Sequence, residues 1–302
     1  MREKRETRIK GIIPPILTPF YEDESVNYEE LRNQVNRMIE AGVHGLFPFG
    51  TNGEAYALSN DEKIEILKVV VDETKGRVPV YAGTGCITTK DTIELSLRAK
   101  EAGADILSII TPYFAAISQN ELYAHYKEVA EAVDLPIVLY NIPMRTGCNI
   151  EPETVERLAE IPNIVGAKDS SGKWENLSAY IEISKNTGLS ILSGNDGLIL
   201  KALQAGAVGG IAGCANVYPY NMVAIYDCFV KGDLEGAQRA QDAIGVYRSC
   251  FKYGNPNTIT KIAAGLLGYP VGNCRKPFCT LPEEGMQALK EVLEINRKNG
   301  MK

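Results

Sequence analysis

Histidine is almost missing from this 302-residue chain, which has only His44 and His125. A Ser-His-Asp hydrolase or a multi-histidine metal centre would have to rest on one of these two, which sets both classes aside. The seven cysteines (Cys86, Cys148, Cys214, Cys228, Cys250, Cys274 and Cys279) are odd in number and scattered, with no C-x-x-C. That pattern suits reduced thiols in a cytoplasmic enzyme and not a disulfide framework. Basic charge is not in excess either. A net charge of −6 argues against nucleic acid or an anionic membrane as the main partner. The first ten residues are charged and lack the apolar core of a secretory signal, and Glu3 and Glu6 weaken a transit-peptide reading. One uncharged stretch, residues 202–226, is long enough to suggest a membrane span. Gln204, Asn216, Pro219, Asn221 and several glycines mark it instead as a buried strand flanked by helices.

What is present is alternation. Hydrophobic residues make up 45% and charged residues 23%, a globular balance, and the length allows a large core. Short runs of Ile, Val and Leu predict strands near residues 12–17, 43–49, 78–83, 104–111, 137–141, 164–168, 190–193 and 208–212. Each is followed by a helix-sized amphipathic stretch. Asn27 with Glu30, Ser59 with Glu62 and Ser118 with Glu121 have capping-box spacing. Gly42, Gly103 and Gly206 stand where each helix must stop before the next strand. Eight such units without a linker predict an α/β chain of the TIM (β/α)8 barrel type over residues 1–232. No G-x-G-x-x-G follows the first strand, so a Rossmann sheet is disfavoured. Beyond residue 232 the strand pattern stops. Residues 234–253, 258–267 and 283–298 read as helices of a C-terminal appendage, residues 233–302.

In such barrels the chemistry sits at the C-terminal ends of the strands. Four features end apolar runs there. Lys168 closes Ile164-Val165-Gly166-Ala167, where a charge is costly to bury. It is either an amine nucleophile able to form a Schiff base or a lysine paired with a carboxylate at the rim. Tyr140 ends Ile137-Val138-Leu139, as a proton carrier or as a core tyrosine with a satisfied hydroxyl. Gly50-Thr51-Asn52-Gly53-Glu54 follows the second run. It is no P-loop, since no Gly-Lys-Ser/Thr follows, but its amides and the Thr51 hydroxyl suit a small carboxylate, if it is not simply a turn. Arg145, in the loop after the fifth run, suits bidentate carboxylate binding or plain solvation. His44 begins a strand, at the wrong end for catalysis, and reads as structural. His125 reads as a surface or interface residue on a helix.

Together these features resemble the dihydrodipicolinate synthase and N-acetylneuraminate lyase family, the pyruvate-handling Schiff-base aldolases. The resemblance rests on Gly50-Thr51-x-Gly53-Glu54, Tyr140-Asn141-Ile142-Pro143 and Gly166-x-Lys168, in that order, and runs from about Gly11 to the last helix. It implies that Lys168 forms an imine with pyruvate and that Tyr140 shuttles protons. It also implies that Thr51 hydrogen-bonds Tyr140, and that the Thr51–Asn52 amides hold the pyruvate carboxylate. Gly194 and the Ile211 carbonyl would line the same pocket. By the same resemblance no metal or organic cofactor is needed, because the iminium is the electron sink, and the assembly is a homotetramer of tight dimers or a homodimer.

Arg145 in Arg145-Thr146-Gly147 resembles the synthases, where it would bind the carboxylate of L-aspartate 4-semialdehyde. Two positions depart from the synthase pattern. Asn52 stands for a second threonine, and Phe114, after Thr111-Pro112-Tyr113, stands for a second relay tyrosine. Tyr113 is expected to be a poor substitute, since neighbours in an extended segment point opposite ways. The leading expectation is the condensation that makes 4-hydroxy-tetrahydrodipicolinate. The alternatives are aldolases of 2-keto-3-deoxy sugar acids or 4-hydroxy-2-oxoglutarate, and a sialic-acid lyase. Outside the family stand a keto-acid sensor with a silent site, against which Lys168 and Tyr140 both argue, and a phosphate-binding isomerase. Asn60 and Lys63 occupy positions where some lysine-inhibited relatives carry histidines, so inhibition by lysine is expected to be weak or absent.

Overall fold

Apolar runs too short for a helix form strands buried on both faces, as a parallel sheet requires. In the computed structural model, which describes residues 9–301, seven runs become strands. They are β1 Gly11–Ile13, β2 Tyr81–Ala82, β3 Ile106–Ile110, β4 Ile137–Asn141, β5 Ile164–Asp169, β6 Ser190–Ser193 and β7 Gly209–Ile211. Their neighbour order is β1-β7-β6-β5-β4-β3-β2, and the pairings from β2 through β7 are parallel. β4 and β6 match the sequence expectation residue for residue, while most of the others are trimmed at their ends.

Contacts divide the chain into two compact units. The first joins residues 9–11 to Pro79–Ile211 and holds β2 to β7. Gly11 ties β1 to it by donating its N–H to the Val208 carbonyl at 2.8 Å. The second joins Ile12–Val78 to residues 212–301.

Residues 43–49, expected as a strand, lie in the second unit and are not a regular one. They run parallel to the chain from Ile12 to Ile16 through three bonds. His44 N–H donates to Ile12 O (2.8 Å), Phe47 N–H to Pro14 O (3.0 Å) and Ile16 N–H to Phe47 O (3.1 Å). Pro14, Pro15 and Pro48 have no N–H to continue the ladder, and Phe49 turns into the left-handed region (φ 40°). With this run counted, eight strand-like segments are each followed by a helix, which is the series of a TIM (β/α)8 barrel.

The helix boundaries follow the local chemistry. Ser59 with Glu62 and Ser118 with Glu121 form reciprocal capping boxes. The third box is only half made. Asn27 accepts from the Glu30 N–H, but its own N–H is taken by the Pro19 carbonyl. Gly206 closes its helix at φ 116°, a conformation that opposes a side chain. Residues 202–226 resolve into the end of helix Ile199–Ala205, β7, a 3-10 turn and most of helix Pro219–Val230. Among the described residues no helix is long and apolar enough to cross a membrane. The later part of the second unit carries helices Leu234–Arg248, Pro256–Leu266 and Glu283–Lys298. The first stops short of the expected residue 253 because the chain tightens into a 3-10 turn over Ser249–Tyr253.

Candidate active site

In the first unit, β4 and β5 carry the chemistry at their C-terminal ends. Tyr140 and Lys168 are register partners on adjacent parallel strands, so period-two alternation puts both side chains on one face. Lys168 Nζ lies 3.6 Å from the centre of the Tyr140 ring, and the two residues are only 4% and 3% exposed. A primary amine is thereby held beside a phenol in a setting nearly free of bulk water.

The next register pair, Asn141 and Asp169, points to the opposite face and ties the same strand ends together. The Asp169 carboxylate accepts from Asn141 Nδ2 (2.8 Å), Asn176 Nδ2 (2.9 Å) and Ser171 Oγ (2.7 Å). Asn141 Oδ1 accepts the Ile150 N–H at 3.0 Å. This buried, hydrogen-bonded carboxylate fixes the backbone from which Lys168 projects.

Gly194 sits just past β6, where its N–H donates to the Asp169 carbonyl at 2.7 Å. A Cβ here would collide with Ser170 Oγ and stand 2.9 Å from Lys168 Cε, so the glycine leaves room for the lysine stem. Ile211 ends β7 and is buried. Arg145 lies on the short helix Pro143–Thr146 after β4 and is exposed.

Two expectations in this unit are corrected. His125, expected at a surface or interface, is 4% exposed, with Nδ1 at 2.9 Å from Thr89 Oγ1. Burial lowers its pKa from 6.5 to about 4, so the ring is neutral. Phe114 does not continue an extended segment after Tyr113, because its backbone is left-handed (φ 77°). The strand alternation rule therefore does not govern them. Phe114 is 96% exposed, whereas Tyr113 is half-buried, and burial raises its phenol pKa.

Thr51 and Asn52 lie in the second unit, in the loop after residues 43–49. The Thr51 carbonyl accepts from Asn257 Nδ2 at 2.7 Å and from the Glu54 N–H at 3.1 Å. The Gly53 carbonyl accepts the Thr18 hydroxyl at 2.7 Å. Gly213 approaches Asn52 closely: a Cβ on it would stand 3.2 Å from Asn52 Nδ2. Glu54 is fully buried in a left-handed conformation (φ 57°) and forms an ion pair of 2.6 Å with Lys261, itself 1% exposed. Its other oxygen accepts the Arg275 N–H at 2.9 Å. Burial lowers the Lys261 pKa, and the Glu54 charge opposes that shift. Beside them the Cys274 thiol is pushed up to about 12, first by burial and then by Glu54. Farther out, the Arg275 guanidinium holds Glu62 down at about 2. His44 proves structural, its Nδ1 accepting the Ile12 N–H at 3.2 Å.

Sequence reasoning missed Asp169, Lys261, Asn257 and Arg275. Lys261 had a signal, since it is a lone charge inside the apolar run Ile259–Leu267, where it needs a buried partner. Asp169 and Asn257 look like ordinary polar residues in the sequence. Among the described residues no group of three or more His, Cys, Asp or Glu is arranged to hold a metal.

A profile described as the dihydrodipicolinate synthetase family matches residues 8–296. The chain is 40% identical over 284 residues to a 4-hydroxy-tetrahydrodipicolinate synthase of Haloarcula marismortui, covering 94% of this chain and 92% of that one. It is 40% identical over 290 residues to a 4-hydroxy-tetrahydrodipicolinate synthase of Methanopyrus kandleri, covering 95% and 96%. Among solved structures, the chloride-inhibited dihydrodipicolinate synthase of Acinetobacter baumannii, complexed with pyruvate, superposes with a TM-score of 0.92. It is 35% identical and is covered over 96% of this chain and 99% of that one. A structure described as the first monomeric dihydrodipicolinate synthase variant gives a TM-score of 0.92 at 29% identity, covering 96% and 97%.

Proposed function

The chain belongs to the dihydrodipicolinate synthetase family, and from that membership we propose that it is a 4-hydroxy-tetrahydrodipicolinate synthase of lysine biosynthesis. It is an enzyme of the class I aldolase type, condensing pyruvate with L-aspartate 4-semialdehyde. The observation that carries the reading is the buried register pair Lys168 and Tyr140, with amine and ring 3.6 Å apart.

The Lys168 amine adds to C2 of pyruvate, and loss of water gives a protonated imine. The imine draws electrons from C3, which loses a proton and becomes an enamine carbon. That carbon bonds to the aldehyde carbon of the semialdehyde, whose oxygen takes a proton. The amino group of the semialdehyde then adds to the imine carbon and expels Lys168, which closes the ring and regenerates the enzyme. Tyr140 is assigned the proton transfers at the imine nitrogen and the hydroxyl oxygens. Thr51 and the amides of Thr51 and Asn52 are assigned the pyruvate carboxylate. Arg145 is assigned the carboxylate of the semialdehyde, a role its exposed position on the helix after β4 supports. Gly194 and the Ile211 carbonyl are assigned to the pocket around the imine. The iminium serves as electron sink, so no cofactor is assigned.

Residues 233–302 are read as a helical addition to the eight-unit series of residues 1–232, supported by helices Leu234–Arg248, Pro256–Leu266 and Glu283–Lys298. The enzyme is assigned to the cytoplasm, in keeping with seven free cysteines. It is assigned a homodimer or homotetramer, in keeping with the exposed aromatic Phe114 on a left-handed backbone.

The test is to incubate the protein with pyruvate and borohydride and locate the adduct by peptide mass spectrometry. The expected result is a reduced adduct on Lys168, followed by turnover with L-aspartate 4-semialdehyde above that with sugar-acid aldols. No adduct on folded protein would overturn the reading. An adduct with turnover of the aldols alone would move the chain to another aldolase of the family.

A further inference from the structure

Helix Pro256–Leu266 carries two buried polar residues one turn apart, Asn257 (2% exposed) and Lys261 (1% exposed). At i and i+4 they lie on one helix face, and both engage the loop after residues 43–49. Asn257 Nδ2 donates to the Thr51 carbonyl at 2.7 Å and lies 3.2 Å from the Tyr56 hydroxyl. Lys261 Nζ reaches Glu54 Oε1 at 2.6 Å, also donates to the Asn273 carbonyl at 3.0 Å, and stands 4.0 Å from the centre of the Phe20 ring. The helix thus grips the loop at Thr51 and again three residues later at Glu54.

The chemical consequence lies in one peptide unit. The Thr51 carbonyl and the Asn52 N–H belong to the same planar trans amide and point in opposite directions. A bond that fixes the carbonyl therefore aims the N–H, and it also polarises that N–H toward an acceptor. At the other end Glu54 holds a left-handed backbone that opposes a side chain, and its two carboxylate oxygens are taken by Lys261 and by the Arg275 N–H.

We infer that Asn257 is a positioning residue that aims the Asn52 amide at the pyruvate carboxylate, with the Lys261–Glu54 pair locking the far end of the loop. This rests on the assignment of the Thr51–Asn52 amides to pyruvate. Asn257 acts through the loop and does not itself touch substrate.

The test measures imine trapping by borohydride as a function of pyruvate concentration, together with steady-state kinetics, on the full-length enzyme and on N257A, N257D and N257S. Losing one neutral hydrogen bond, such as that of Asn257 to the Thr51 carbonyl, is worth about a five- to tenfold weakening. The pyruvate concentration for half-maximal trapping, and KM for pyruvate, should rise by about that factor in N257A. They should rise at least as far in N257D, whose carboxylate has no donor for the carbonyl. N257S, which keeps a hydroxyl donor, should fall between N257A and wild type. The maximal rate and KM for the semialdehyde should change far less. Pyruvate affinity equal to wild type in N257A and N257D would overturn the inference and leave the function standing. A parallel loss of Tm, maximal rate and both KM values would reduce Asn257 to a structural role and overturn it likewise. If wild type itself traps no pyruvate, the functional reading fails, and this inference fails with it. If N257A does not fold, N257D against N257S carries the same comparison.

Discussion

Lys168 Nζ stands 3.6 Å from the centre of the Tyr140 ring, across two adjacent parallel strands in register. The register makes the pair rigid. Neither residue can move along its strand without shifting Asn141 and Asp169 on the reverse face, which are bonded at 2.8 Å. Tyr140→Phe keeps the ring and its packing but removes the proton carrier. Its rate should fall by about 10²–10⁴-fold, the range for loss of a general acid–base group. The protein should remain folded and pyruvate should still be trapped on Lys168, more slowly. Steady-state rates and trapping rates measured side by side check this, and an unchanged rate would remove Tyr140 from the mechanism.

Gly194 tests the space around the lysine. Gly194→Ala places a Cβ against Ser170 Oγ and 2.9 Å from both Lys168 Cε and the Asp169 carbonyl oxygen, so side chains and backbone must shift. The expected result is a strong loss of pyruvate trapping together with a loss of stability, because the new methyl meets both the lysine stem and the Asp169 backbone. The two are read by borohydride inactivation and by thermal unfolding.

The Lys261–Glu54 pair is a buried ion pair whose residues are 1% and 0% exposed. Lys261→Met leaves the carboxylate without its cation and should cost about 3–5 kcal/mol of stability, the usual penalty for an orphaned buried charge. Pairing it with Glu54→Gln should recover part of that loss. Urea unfolding of the two single variants and the double variant measures the coupling.

Acid should destabilise the protein through His125. Its folded pKa of about 4 lies below the ordinary value of 6.5 because burial disfavours the imidazolium. Between those values the unfolded chain binds more protons than the folded one, so stability rises with pH across that window. The contribution is full above about pH 6.5 and lost as pH falls toward 4, in total on the order of 3 kcal/mol. His125→Gln should flatten the slope of unfolding free energy between pH 7 and 5, and an equal slope in the variant would assign the acid sensitivity to other groups.

Lysine should inhibit weakly or not at all. Lys63 is buried, with its ammonium 3.4 Å from Asn60 Oδ1, so a lysine ligand approaching there meets like charge. Lys63→His should increase sensitivity to lysine. Marked inhibition of the wild-type enzyme at low millimolar lysine would show that the ligand is accommodated despite that charge.

Much of the fold was legible. The strands at residues 137–141 and 190–193 were read to the residue because each holds a short apolar core, Ile137–Leu139 and Ile191–Leu192, closed by polar residues at the strand end. Residues 43–49 misled because the same apolar signal appears in a segment that Pro48 and its Pro14–Pro15 neighbours prevent from pairing regularly. His125 misled because an amphipathic helix gives no sign of which neighbour will cover a particular polar residue. Lys168 and Tyr140 could be found because each ends an apolar run, while Asn257 could not, since its role depends on the carbonyl of a residue about two hundred positions away.

The sequence by itself determined the alternation of strand and helix, the caps and stops, and which polar side chains would close the strands. These depend on near neighbours: backbone propensity, capping bonds and the period of side-chain burial. Tertiary structure decided that Tyr140 and Lys168 stand in register, that Gly194 leaves space for the lysine stem, and that Asn257 and Lys261 hold the Thr51–Glu54 loop. Those relationships join residues far apart in the chain. They exist only once strand register and helix packing bring the partners within hydrogen-bond or van der Waals reach, where burial makes each contact count.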